Sequence, residues 1–467
     1  MTWIHPSFVK LPRHKIPKYF TISCYLNHSL ATPDPFRNES NKFATQDWAK
    51  TISTQITNCS NVQQLNELYA HAIRIHMLQL HSAAFYWNTI IRAYTRFSSP
   101  SKALYVSIAM SRAGVDPDTY TLPVILTSIS QINEISIVRQ FHTVAIKHGL
   151  NTNLYCESGF ISLYSKAGEF HNARKLFDES PEKNLGSWNA VICGLSQSGR
   201  AREAVDMFLE LKRSGLAPTD ITMVSIISAC GSLGDFGLAL QLHACVFQAK
   251  TLEKSDLLMS NSLIDMYGKC GRIDLAHIIF SRMPERNVCS WTSLIVGYAT
   301  HGHVNEALEC FRAMREENIS IPSDVTFVGV LSACVHGGFV EEGRYYFNMM
   351  KNEYGIKPAL VHYGCMVDLF SRCGLLDEAW EMVEGMPMEG NVVIWGSLMG
   401  GCEKYGNVKM GELVAKKLSE LEPWNDGVYV VMSNIYASNG LWEDVGRMRR
   451  IMKERKLKKV PAYSLGA

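Results

Sequence analysis

Cysteine and histidine are the side chains best able to ligate a metal or supply a nucleophile, and this chain has thirteen of the first and fifteen of the second. Their spacing supports neither chemistry. No two cysteines form a CxxC pair, and most sit inside helical apolar patterns such as "ISACGSLG" and "LSACVHGG", where a free thiol behaves as a small hydrophobe. That usage fits a reducing compartment. His142 and His243 recur 101 residues apart in "QFHTVAIK" and "QLHACVFQ", with no further ligand beside them, and read as structural. A glycine-rich phosphate loop of the GxxxxGK[ST] type is absent as well. No catalytic residue, metal site or cofactor is expected.

Basic side chains could hold phosphates, but they are unevenly spread. Of a net charge of +2, residues 1–45 carry +4 and residues 446–460 carry +7, which leaves −9 for the residues between them. A broad phosphate-binding surface driven by charge alone is therefore not indicated. The C-terminal stretch Arg447, Arg449, Arg450, Lys453, Arg455, Lys456, Lys458 and Lys459 has two readings: a solvated helix face, or a contact for phosphates or a partner protein. The first 33 residues lack any acid but hold Lys10, Arg13, Lys15 and Lys18 among Trp3, Ile4, Phe8 and Phe20. That is the profile of an organelle transit peptide, and its low Ser/Thr content favours a mitochondrion over a plastid; the alternative is a disordered extension with no address.

The elements that would position any site follow from repeats. "YWNTIIRAYTRF", "SWNAVICGLSQSG", "SWTSLIVGYATHG" and "IWGSLMGGCEKYG" align around Trp87, Trp188, Trp291 and Trp395, spaced by 101, 103 and 104 residues. A second series starts at Leu163, Met266 and Leu369 with spacings of 103 and 103, and a third, "SACGSLGD" and "SACVHGGF", is offset by 104. Three registers with one period mean a unit of about 100 residues built from three similar sub-repeats. Each sub-repeat reads as two short helices around a glycine turn such as "KAGEF" or "KCGRI", closed by proline. Such a hairpin cannot bury both apolar faces alone, so successive hairpins must stack into an all-α solenoid. The tryptophans are expected in its core. A composition of 47% hydrophobic and 19% charged residues suits a folded protein, and no apolar run is long enough for a membrane helix.

On these motifs the chain resembles plant pentatricopeptide repeat proteins of the class whose repeats come in triplets, with a C-terminal E-type extension and no deaminase domain. The resemblance implies a right-handed α-solenoid of helix-turn-helix repeats. It places the standard unit at 84–118, 185–219 and 288–323, the long variant at 119–153, 220–256 and 324–359, and the short variant at 154–184, 257–287 and 360–391. The organisation expected is a transit peptide or disordered leader over 1–45, a degenerate repeat over 46–83, the array over 84–391, and an extension of two degenerate hairpins over 392–467.

The family reads one RNA base per repeat through the fifth and last residues of each motif. Carried over, these are Asn88 with Asp118, Ser158 with Asn184, Asn189 with Thr219, Asn261 with Asn287, and Thr292 with Ser323. The competing reading is helix capping by Asn, Asp, Ser and Thr. Against it, the fifth residue of the long units is Pro123, Val224 or Val328, and none of these caps through a side chain. By the family's preferences the pairs select, 5′ to 3′, U, any base, A, a pyrimidine, any base, a pyrimidine and a purine, weakly A. Gly364 in the last short unit carries no information. Second residues such as Phe85, Tyr120, Tyr155, Ile221, Leu258 and Val361 would lie between bases or else pack between repeats.

Members with such an extension act in organelle RNA editing, choosing which cytidine is deaminated. The zinc deaminase signatures HxE and PCxxC do not occur here. The expected role is thus a sequence-specific single-stranded RNA-binding adaptor in the mitochondrion, not an enzyme, with a deaminase-bearing pentatricopeptide repeat protein or other editing factor recruited in trans. Two alternatives are a transcript stabilisation or splicing factor and a tetratricopeptide-like scaffold for proteins. The scaffold's repeats have a constant length of about 34 residues, which the 31 residues of unit 154–184 do not match.

Overall fold

The computed structural model describes residues 40–79, 83–132, 134–248, 257–317 and 321–454, and every regular element among them is helical. Residues 1–39 of the expected leader lie outside the described residues. Helix begins at Ser40, ahead of the repeat boundary expected at residue 46.

Two compact units divide the chain after Ala229. Unit 1 contains α1 (Ser40–Asn58), α2 (Val62–Arg74), a 3-10 turn at Met77–Gln79, and the hairpins α3 (Ala83–Arg96) with α4 (Pro100–Arg112), α5 (Thr121–Ile132) with α6 (Ile135–Lys147), α7 (Leu154–Lys166) with α8 (Phe170–Glu179), and α9 (Leu185–Gln197) with α10 (Ala201–Arg213). The boundary falls inside α11 (Asp220–Leu233). Unit 2 continues with α12 (Phe236–Gln248), then α13 (Leu257–Lys269) with α14 (Ile273–Arg282), α15 (Val288–Thr300) with α16 (Val304–Glu317), α17 (Asp324–Gly337) with α18 (Val340–Asn352), α19 (Leu360–Arg372) with α20 (Leu376–Glu384), α21 (Val392–Tyr405) with α22 (Val408–Leu421), and α23 (Gly427–Ser438) with α24 (Trp442–Glu454).

One hairpin shows why these residues fold this way. Asn287 sits in extended backbone and its side chain accepts the Ser290 N–H at 3.0 Å, which starts α15. Trp291, Leu294 and Ile295 then recur at helical spacing and are buried. Gly302, with φ of 76°, turns the chain where a side chain would be strained. α16 resumes the stripe with Ala307, Leu308, Phe311 and Met314 on its buried face.

Stacking within each unit comes from the first helices, which pack on one another, as α7 does on α9 and α15 on α17. A cation or imidazole late in one first helix satisfies carbonyls at the end of the one before, where the helix leaves them unpaired. Lys166 Nζ donates to the Ser130 carbonyl at 2.7 Å, His301 Nε2 to Gly268 at 2.5 Å, and Lys404 Nζ to Arg372 at 2.8 Å. The four tryptophans are buried as expected. Trp188 meets Phe177 edge-on at 4.6 Å between ring centroids, and Trp291 meets Phe280 at 4.7 Å. Each partner belongs to the second helix of the preceding hairpin, so the ring seals the joint between hairpins.

His142 and His243 repeat one contact, to the hydroxyl of Tyr164 at 3.1 Å and of Tyr267 at 2.8 Å. Burial lowers the pKa of both imidazoles, which fits a structural role. Among the described residues no helix is long and apolar enough to cross a membrane.

Candidate nucleic-acid interface

The site is built at the start of each first helix, where five positions of the motif take distinct environments. The second residue points outward. Phe85, Tyr120, Tyr155, Ile221, Leu258 and Val361 are between 50% and 77% exposed, which removes packing between repeats as their explanation. Val325 and Val393 extend the series. The series is interrupted at Gly186 and Cys289, and elsewhere leaves an apolar side chain exposed at the start of the first helix.

The fifth residue stands one turn further on and the last residue closes the same repeat, so sequence distance separates them by 26 to 31 residues. The fold brings them together. Asn88 Nδ2 donates to Asp118 Oδ1 at 3.2 Å, Asn189 Nδ2 to Thr219 Oγ1 at 3.1 Å, and Asn261 Nδ2 to Asn287 Oδ1 at 3.2 Å. Thr292 reaches Ser323 through one hydroxyl, Thr326 Oγ1, which is 2.7 Å from Thr292 and 3.0 Å from Ser323. Ser158 and Asn184 flank Gly186, where a Cβ would lie 3.1 Å from Asn184 Oδ1 and 3.6 Å from Ser158 Cβ. Ser158 itself donates to the Tyr155 carbonyl at 3.2 Å.

Capping belongs to one member of each pair only. Asn184, Asn287 and Ser323 are N-caps of α9, α15 and α17, and Asp118 and Thr219 accept backbone N–H groups of α5 and α11 in the same way. The fifth residues lie inside their helices and cap nothing. Asp118 is the most heavily bonded of the ten. Burial alone would raise its pKa, but the Thr121 hydroxyl, the N–H groups of Thr121 and Tyr120 and the Asn88 amide outweigh it and hold the carboxyl below its ordinary range.

Sequence reasoning missed the third residue of the motif. Thr121, Ser187, Thr222, Ser290 and Thr326 are fully buried, and each hydroxyl lies 2.8 to 3.1 Å from the last residue of the repeat before. The signal was present in "SWNA", "SWTS" and "VTFV", as a hydroxyl two places into each of these motifs.

Of the basic stretch, Arg449, Arg450 and Lys453 are exposed on α24. Arg447 pairs with Asp444 at 2.7 Å. Arg455, Lys456, Lys458 and Lys459 lie outside the described residues. No group of three or more His, Cys, Asp or Glu side chains among the described residues is placed to hold a metal ion.

A pentatricopeptide repeat-containing mitochondrial protein of Arabidopsis thaliana is 54% identical over 450 residues, covering 96% of this chain and 96% of the relative. The chain belongs to the pentatricopeptide repeat family. A second Arabidopsis thaliana pentatricopeptide repeat-containing protein, chloroplastic/mitochondrial, is 35% identical over 98% of this chain and 78% of its own length. The family models agree: PPR repeat family over 183–232 and 286–336, PPR repeat over 158–185, 259–288, 325–354 and 361–391, and E motif over 405–465. The E motif lies within the expected extension and fits the E subgroup. Among solved structures, the pentatricopeptide repeat protein PPR10 in complex with an 18-nt psaJ RNA element matches 87% of this chain and 66% of its own, with a TM-score of 0.59 at 18% identity. That likeness concerns the fold. The mitochondrial relative accords with the localisation expected from the basic leader, and the protein is assigned to the mitochondrion.

Proposed function

We propose that this pentatricopeptide repeat protein is a sequence-specific single-stranded RNA-binding adaptor that selects sites for C-to-U editing in organelle transcripts. A deaminase-bearing family member or another editing factor supplies the chemistry in trans. The observation that carries the reading is the pairing of fifth and last residues, direct at Asn88 with Asp118, Asn189 with Thr219 and Asn261 with Asn287 and through Thr326 at Thr292 with Ser323, alongside exposed apolar second residues such as Phe85, Tyr155 and Leu258. An Asn amide held by one N–H keeps a second N–H and part of its carbonyl for a base edge, and the second residues offer apolar surface above and below that base. The bound RNA of the structural neighbour and the E motif support the RNA and editing parts of the proposal respectively.

Purified protein is expected to bind single-stranded RNA and to leave cytidine unchanged with or without added zinc. Turnover by the pure chain would contradict the adaptor role. In organelles, deleting 392–467 is expected to abolish editing while RNA affinity stays within a few-fold. Loss of transcript abundance or splicing with editing intact would favour a stabilisation or splicing factor.

A further inference from the structure

The buried hydroxyls complete capping boxes, with Thr121, Thr222, Ser290 and Thr326 each accepting the N–H of the last residue before, yet their distribution follows a further rule. Where the preceding repeat has a polar fifth residue (Asn88, Ser158, Asn189, Asn261 or Thr292), the third residue of the next repeat is Thr121, Ser187, Thr222, Ser290 or Thr326. Where the fifth residue is Pro123, Val224, Val328 or Gly364, the third residue is Cys156, Met259, His362 or Ile394. Caps form without the hydroxyl: Asn153 caps α7 with Cys156 at that place, and Asn391 caps α21 with Ile394 there. His362, in the repeat after Val328, is buried and sends Nε2 to the Asp324 carbonyl at 3.0 Å instead of to a fifth side chain. The hydroxyl accompanies the polar fifth residue and not the cap.

Its geometry says what it does. The Ser290 N–H fixes Asn287 Oδ1 as an acceptor at 3.0 Å, and that acceptor takes the Asn261 Nδ2 proton at 3.2 Å. Ser290 Oγ itself accepts the Asn287 N–H at 3.2 Å and donates to Asn261 Oδ1 at 2.7 Å. The backbone of a helix start therefore dictates, through two side chains, which end of the Asn261 amide is donor and which is acceptor. A flipped amide would set two oxygens against each other at Asn287. Thr222 holds Asn189 in the same way, donating to its Oδ1 at 2.5 Å while bridging to Thr219 at 3.0 Å, and Thr326 bridges Thr292 and Ser323.

We infer that the third-position hydroxyl of each following repeat, Thr222 and Ser290 most directly, is a specificity-determining positioning residue that fixes the donor and acceptor polarity of the base-reading pair before it. This rests on the reading of those pairs as base contacts. A reader free to flip offers either hydrogen-bonding pattern and discriminates poorly, while its affinity for the preferred base changes little.

The test uses the full chain and four RNAs with the U, any, A, pyrimidine, any, pyrimidine, A order, varied only at the nucleotide facing unit 185–219. Wild type is expected to favour pyrimidines over purines there about tenfold, the scale of one well-placed base contact. Thr222→Val, which keeps the shape and loses the hydroxyl, is expected to cut that ratio to about twofold while the best RNA loses less than about threefold. Thr222→Ser is expected to restore it. Asn189→Ala separates the two levels of the argument. If it leaves the preference unchanged, the base-reading assignment itself falls; if it erases the preference while Thr222→Val retains it, only the positioning role is overturned. A uniform loss of affinity for all four RNAs by Thr222→Val also overturns it. Ser290→Ala, scored at the nucleotide facing unit 257–287, decides the matter if Thr222→Val does not fold.

Discussion

Asp118 is where the proposed recognition and the folding of the repeat share one atom. Its Oδ1 receives the Asn88 amide, two backbone N–H groups and the Thr121 hydroxyl, so the same charge starts α5 and orients a reader. Because its carboxyl titrates below the ordinary range, the stabilisation is complete above the unfolded value near about 4 and is lost as pH falls through that value towards the depressed one. Melting temperatures of wild type and Asp118→Asn, compared from pH 7 to pH 3, should therefore converge only at the acid end. A constant gap across the range would show that the charge contributes nothing. At this scale the sequence was legible wherever register alone decided the outcome: once the tryptophans fixed the frame, the fifth and last positions followed. The hydroxyls at the third position stayed hidden because serine or threonine before a large apolar residue looks like core filler, and because the fifth residues they meet are distant in sequence. Ser290 meets Asn261 across 29 residues, a proximity that only stacking creates.

Individual helices here are short, and short helices are marginal alone, so their stability must come from the joints between hairpins. The tryptophan of the first helix and the aromatic ring of the preceding second helix form that joint in both units. Trp291→Ala is expected to lower stability by about 3–5 kcal/mol, read by chemical denaturation, and Phe280→Leu combined with it should be less than additive, with a coupling of about 0.5–1.5 kcal/mol. Additive effects would mean the rings are buried independently. The hairpin pattern was readable because glycine stops and apolar stripes are local signals. Less readable was where the first element begins, since α1 opens at Ser40, in a stretch whose basic, acid-poor composition drew it into the leader.

Across the whole chain, the proposed recognition is spread one nucleotide to a repeat, and the long units, with Pro123, Val224 and Val328 at the fifth position, would contribute spacing and stacking without hydrogen bonds. On that proposal affinity accumulates from many weak contacts, while specificity resides in five. The uneven charge sharpens this division, because a body with a net of −9 cannot hold RNA by its phosphates alone. The most direct test of the account is selection from a random RNA pool by the wild-type protein and by Asn88→Thr in parallel. Wild type is predicted to enrich U, any base, A, a pyrimidine, any base, a pyrimidine and A in that order, and Asn88→Thr to change the first U to G with the rest intact, at a cost on the original RNA of about 1–3 kcal/mol. Enrichment without positional preference, or identical winners for both proteins, would contradict the claim that these paired side chains read bases.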